Sequence, residues 1–171
     1  MKKFLVFIMS LVMSMSLVAC GGEAEPETEA EPSEQPSVEE EQAKADEDFA
    51  QLQGFMNGIL EIYNGQQEIA TIMEEVKSGQ KGESDLLDAY KQLADSSEAL
   101  ASEVQNATWT TNYYDDKVAA LTECVDALAL YQKTIYDAGA ENDSAKLEEA
   151  VGYFEDYDAK LTTFLDIMGV E

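Results

Sequence analysis

Thirty-six carboxylates and ten lysines, with no histidine and no arginine, set the chemical repertoire of this 171-residue chain. Histidine-based acid–base catalysis, histidine-ligated zinc and histidine-ligated haem are thereby excluded. A ferritin-like di-metal centre takes Glu-x-x-His pairs from two helices, and this sequence supplies neither. The two cysteines, Cys20 and Cys124, are far apart in sequence and form no CxxC redox pair. What remains are carboxylate clusters: Glu74-Glu75, Asp115-Asp116, Glu148-Glu149 and Glu155-Asp156-x-Asp158. Calcium takes about six to eight oxygen ligands. None of these clusters has the Asp-x-Asp-x-Asp-Gly loop pattern, and neighbours on a helix point different ways. A solvated acidic face is the preferred reading, with a calcium-binding helical domain as the alternative. No cofactor, metal site or catalytic set is expected.

Aromatic residues are the other chemical resource. Eight tyrosines and one tryptophan exceed what a small core needs, and such side chains bury a ring while keeping a polar tip for recognition. Trp109, Tyr113, Tyr136, Tyr153 and Tyr157 are the candidate interaction surface, with closure of the core and its rim as the plainer role. Cys124 lies beside an apolar stripe and reads as a buried, inert thiol. A formal charge of −26 repels phosphate backbones, so nucleic-acid binding is excluded.

Lys2 and Lys3 precede an apolar run from Phe4 to Val18, broken only by Ser10, Ser14 and Ser16. That is the layout of a secretory signal peptide, and it is shorter than the roughly 20 residues a spanning helix requires. The run ends in Leu17-Val18-Ala19-Cys20 followed by Gly21-Gly22. Here the sequence resembles a bacterial lipoprotein precursor. The resemblance covers residues 1–22 and implies that Cys20 receives a diacylglyceryl group, commonly with palmitate-type acyl chains, and becomes the first residue of the mature chain. It also implies a lipid anchor in the cell membrane with the rest of the chain on the extracytoplasmic face. Losing residues 1–19 removes two lysines and no acid, leaving a formal charge of −28.

Three segments follow: residues 1–19 as signal peptide, 20–45 as lipidated cysteine and acidic tether, and 46–171 as the folded domain. Pro26, Pro32 and Pro36 are the only prolines, and residues 21–45 hold nine glutamates with Val38 as the one large apolar side chain. Such a segment buries too little to offset chain entropy and reads as a disordered, self-repelling spacer.

From Asp46 the apolar residues recur at helical spacing. A first helix is predicted from about Asp48 to Ser78. One seam is Phe49, Leu52, Met56, Ile59, Tyr63, Ala70 and Met73; beside it lie Phe55, Ile62, Ile69, Ile72 and Val76. Gly58 and Gly65 on this second seam suggest close approach of a partner backbone. Gly79-Gln80-Lys81-Gly82 ends the helix. A second stripe runs Leu86, Tyr90, Leu93, Ser97, Leu100, Val104 and Ala107, with Ser84 or Asp85 as cap. Thr108-Trp109-Thr110-Thr111-Asn112 interrupts it, and Asn112 is a candidate cap for the third helix. Tyr114, Val118, Leu121, Val125, Leu128 and Ile135 form the third stripe. A turn at 137–143 precedes the fourth, which is Leu147, Val151, Phe154, Leu161, Phe164, Leu165 and Met168.

The heptad phase also runs unbroken from the second stripe into the third, but one helix of that length would leave much apolar surface wet. The predicted fold is therefore all-α, an antiparallel up-down four-helix bundle. The function expected of it is a membrane-anchored extracytoplasmic binding or interaction module. Its partners would be the membrane through the lipid on Cys20, and a cell-envelope protein, a cell-wall component or a small ligand. A carboxylate-dependent hydrolase of the cell envelope is the further alternative, for which a bundle with short turns offers no evident cleft.

Overall fold

The computed structural model describes residues 38–169, so the signal segment, Cys20 and residues 20–37 of the tether lie outside it. The described residues form four helices: α1 (Val38–Lys77), α2 (Glu83–Asn106), α3 (Asp115–Glu141) and α4 (Ser144–Met168). Successive helices pack antiparallel, as the contacts between them record. Position 48 meets 110, 58 meets 100 and 65 meets 93, three pairs with a constant index sum. Of the three successive pairs, α3–α4 packs backbone against backbone most extensively and α1–α2 least. One contiguous core joins all four, from Leu52, Ile59 and Ile62 through Leu100, Leu121 and Leu128 to Tyr157 and Phe164.

Helix α1 begins ten residues before the predicted start, so residues 38–45, assigned to the tether by composition, are helical. The reason is local. Glu, Gln, Ala and Lys are strong helix formers, no proline follows Pro36, and Glu39, Glu40 and Glu41 sit where the helix dipole favours negative charge. Ala45 is already buried. At about 1.5 Å per residue, α1 is roughly 60 Å long against about 36 Å for α2, so its first turns overhang the bundle.

The two turns at the far end are held by backbone. Gly79 adopts φ +74°, and Gln80 N–H donates to the Glu75 carbonyl at 2.8 Å. Lys81 Nζ lies 2.7 Å from Glu75 Oε2 across the same turn. Between α3 and α4 only Asn142 and Asp143 intervene, because α3 continues through Gly139 to Glu141. Asn142 takes the left-handed conformation at φ +53°, and Asp143 Oδ1 accepts from Ala145 N–H at 2.9 Å as the cap of α4. Gly82 rather than Ser84 or Asp85 is the N-cap of α2, with Asp85 reaching back to accept from Gly82 N–H at 2.8 Å.

So short a turn fixes the rotation of α4 about its axis. Ala150, Tyr157, Phe164 and Met168 face the core, whereas Leu147, Val151 and Phe154 of the predicted stripe stay exposed. The first seam of α1 is likewise buried only at Leu52 and Ile59; Tyr63 and Met73 remain 38% exposed. Small residues explain the glycine seam differently from the sequence reading. A Cβ at Gly58 would lie 2.8 Å from Leu100 Cδ1, and one at Gly65 would lie 2.6 Å from Leu93 Cδ2. It is leucine side chains of α2, spaced seven apart like the glycines, that nest on α1, rather than its backbone.

Candidate binding site at the α2–α3 end

The α2–α3 connection, residues 107–114, carries the candidate site. Its eight residues have too few internal backbone bonds to hold a shape; Ala107 N–H to the Val104 carbonyl, Asp115 N–H to the Asn112 carbonyl and Val118 N–H to the Tyr114 carbonyl are its described backbone bonds, and all three lie at its ends. The missing partner comes from α1. Asp48 is 2% exposed, and its carboxylate accepts from both the N–H and the hydroxyl of Thr110 and Thr111. The two closest are Thr111 Oγ1 at 2.7 Å and Thr111 N at 2.8 Å from Oδ2. Burial pushes the Asp48 carboxyl up, but the four donors outweigh it and hold the group below its ordinary value of 3.8. The Thr110 hydroxyl shares its one proton with the more distant Lys44 carbonyl at 3.4 Å.

This clamp seats the neighbouring aromatics. Trp109 is half-buried with its ring centroid 6.1 Å from that of Phe55, and Tyr114, the N-cap of α3 in place of Asn112, lies 5.9 Å from Phe49. Tyr113 is left 64% exposed. Between the overhanging start of α1 and the connection opens a groove of about 420 Å³, lined by Glu41, Lys44, Trp109, Thr110, Thr111, Asn112 and Tyr113. Among the described residues, no hydrogen bond or ion pair engages the side chains of Glu41, Lys44, Asn112 or Tyr113. The groove thus pairs an indole and a phenol with free donors and acceptors of both charges, a set suited to a polar ligand with a flat apolar face.

Only two of the five candidate surface aromatics, Trp109 and Tyr113, meet here. Tyr136 is half-buried near the far end of α3. Tyr153 donates its hydroxyl to Glu149 at 2.6 Å on α4. Tyr157 is a core residue, 5% exposed and stacked on Tyr131 at 6.4 Å, and burial raises its hydroxyl well above the usual tyrosine value. Asp48 escaped the sequence reading because it stood at the expected helix start. Its signal was its phase: Asp48 sits between Ala45 and Leu52 on the buried stripe, where a carboxylate requires donors from elsewhere.

Cys124 is fully buried, and desolvation pushes its thiol up to about 12, so it is not a nucleophile at neutral pH. Among the described residues no three cysteine or carboxylate side chains converge as a metal cage. Members of the acidic clusters have local partners instead, such as Glu74 with Lys77 at 2.7 Å and Asp156 with Lys160 at 2.8 Å. No described helix is long and apolar enough to cross a membrane. No protein-family model matches this sequence, and comparison with characterised proteins and with solved structures finds no match.

Proposed function

We propose that this chain is a lipid-anchored extracytoplasmic binding module whose recognition site is the groove framed by Trp109 and Tyr113. The observation that carries the reading is the groove itself: a connection held rigid by a buried aspartate, presenting two aromatics and unengaged polar side chains beside the overhanging start of α1. A clamp of this kind preorganises the loop, so a ligand is not charged with ordering it. The ligand class is a polar component of the cell envelope, such as a wall saccharide, that can stack on an aromatic face. The anchor rests on the resemblance of residues 1–22 to lipoprotein precursors. Seventeen residues lie between Cys20 and Val38, enough for the groove to stand at most about 60 Å from the lipid at roughly 3.3 Å per residue step.

Trp109 is the chain's single tryptophan, so its fluorescence reports on this groove alone. Titration with soluble cell-wall saccharide fragments should shift and saturate the Trp109 emission, and Tyr113→Ala should weaken binding at least tenfold. Saturable binding that leaves the emission unchanged, or that ignores Tyr113→Ala, would remove the groove from the proposal. The anchor is tested separately. Mass spectrometry of the membrane fraction should find acylated Cys20 at the N-terminus, and Cys20→Ser should release the protein; a membrane-bound Cys20→Ser variant would remove the anchor.

A further inference from the structure

A second groove lies farther along α1 and shares no lining residue with the first. It runs along the α1–α2 seam from Gly58 to Ile72 and encloses about 540 Å³. The fourteen helical rises from Gly58 to Ile72 make it roughly 21 Å long. It exists because the walls are low: Gly65 on α1 and Ala89, Ser96 and Ala99 on α2 contribute almost no side chain there. Its floor is Ile62, Ile69, Leu93 and Leu100, two pairs each spaced by seven residues. Glu61 and Glu68 rise on one side and Glu103 on the other, and no lysine lines it. None of these three glutamates is ion-paired among the described residues.

We infer that the α1–α2 groove receives a basic amphipathic helix of about four turns from a partner protein. An apolar floor repeating every seven residues matches the stripe that such a helix presents. The Glu61, Glu68 and Glu103 carboxylates then meet lysines or arginines flanking that stripe, and shielding by the docked helix strengthens pairs that water would otherwise weaken. Charge selects this occupant over the nearer ones. A second copy would bring another chain of net charge −26, and the chain's own residues 21–37 contain six glutamates and no lysine.

The test uses residues 20–171 carrying Cys20→Ser, which hold every described helix, and a labelled 18-residue leucine–lysine peptide with an amphipathic helical repeat. Fluorescence anisotropy should show saturable 1:1 binding that leaves Trp109 emission unchanged. Glu61→Gln, Glu68→Gln and Glu103→Gln together should raise Kd at least tenfold. Removing as many charges from α4 with Glu148→Gln, Glu155→Gln and Asp158→Asn should raise it less than twofold. Ala99→Trp, which fills the groove from its exposed wall, should abolish binding while circular dichroism shows an unchanged fold. Equal weakening by the two triple variants would mean diffuse attraction to an acidic surface and would overturn the inference. So would equal affinity for a sequence-scrambled peptide without the helical repeat, full displacement by spermine at matched ionic strength, or self-association that Ala99→Trp disrupts.

Discussion

Helices α3 and α4 form the best-packed half of this molecule, and α1 with α2 the more open one. Across α3–α4 the small Ala150 lets the backbones close, Phe164 is 1% exposed, and Tyr131 packs on Phe154 at 5.3 Å and on Tyr157 at 6.4 Å. Across α1–α2 two leucines rest on two glycines beside an open groove, over the shared core. The first pair is held by buried area, which is non-directional and sums over many contacts. The second is held at its end by a directional device, the Asp48 carboxylate and its threonine donors. Surface for recognition is available where hydrogen bonds replace packing, because the interface need not close to be stable.

The largest expected effect breaks the packed half. Phe164→Ala should cost about 3–5 kcal/mol, seen as a shift in the urea midpoint. If it costs under about 1 kcal/mol, the α3–α4 core is not the main source of stability. Next comes the clamp. Asp48→Ala strands several donors and should cost about 3 kcal/mol at pH 7, with added disorder of residues 108–112 in amide hydrogen exchange. Because the folded-state carboxyl is held below 3.8, its contribution is present above that value and is lost as pH falls through the folded value. The stability gap between Asp48→Asn and the natural chain should therefore be constant from pH 7 to 5 and narrow below about pH 4. A gap independent of pH would mean that the charge contributes nothing.

Smaller effects sharpen the glycine contrast. Gly65→Ala gains about 1 kcal/mol of helix propensity but forces Leu93 off its seat, and overpacking costs about 1–3 kcal/mol; net destabilisation of about 1 kcal/mol is expected. Gly54 has nothing within 4 Å of an added Cβ, so Gly54→Ala should stabilise by about 0.5–1 kcal/mol. Thermal unfolding of the two variants side by side decides it, and equal shifts would dismiss the leucine seats.

Much of the fold was legible because period and turn chemistry are local. Leu93, Leu100 and Val104, and Leu121, Val125 and Leu128, lie in the core where their spacing put them, and the chain breaks within Thr108–Asn112 as the β-branched cluster implied. Two features were not legible for physical reasons. The phase of α4 is set by a two-residue turn whose rotation the apolar pattern does not encode, which is why Leu147 and Val151 face outward. The groove depends on a bond between residues 62 positions apart, and no window of sequence contains both partners. Trp109 and Tyr113 were identifiable as surface aromatics, but the Asp48 that positions them was not.

The overhang of α1 also bears on mechanics. A chain held at its N-terminus and loaded at its body feels the pull along the 40-residue axis of α1, parallel to its seam with α2. The Asp48 bonds to Thr110 and Thr111 cross from that helix to the α2–α3 connection, so such a load strains them together in shear instead of peeling them one at a time. The leucines seated on Gly58 and Gly65 resist the same slide as steps in a ratchet, each needing about two helical turns of travel, roughly 10 Å, before the next seat is reached. Such a load would be carried by the clamp and the notches, and the α3–α4 core would lie off the line of force.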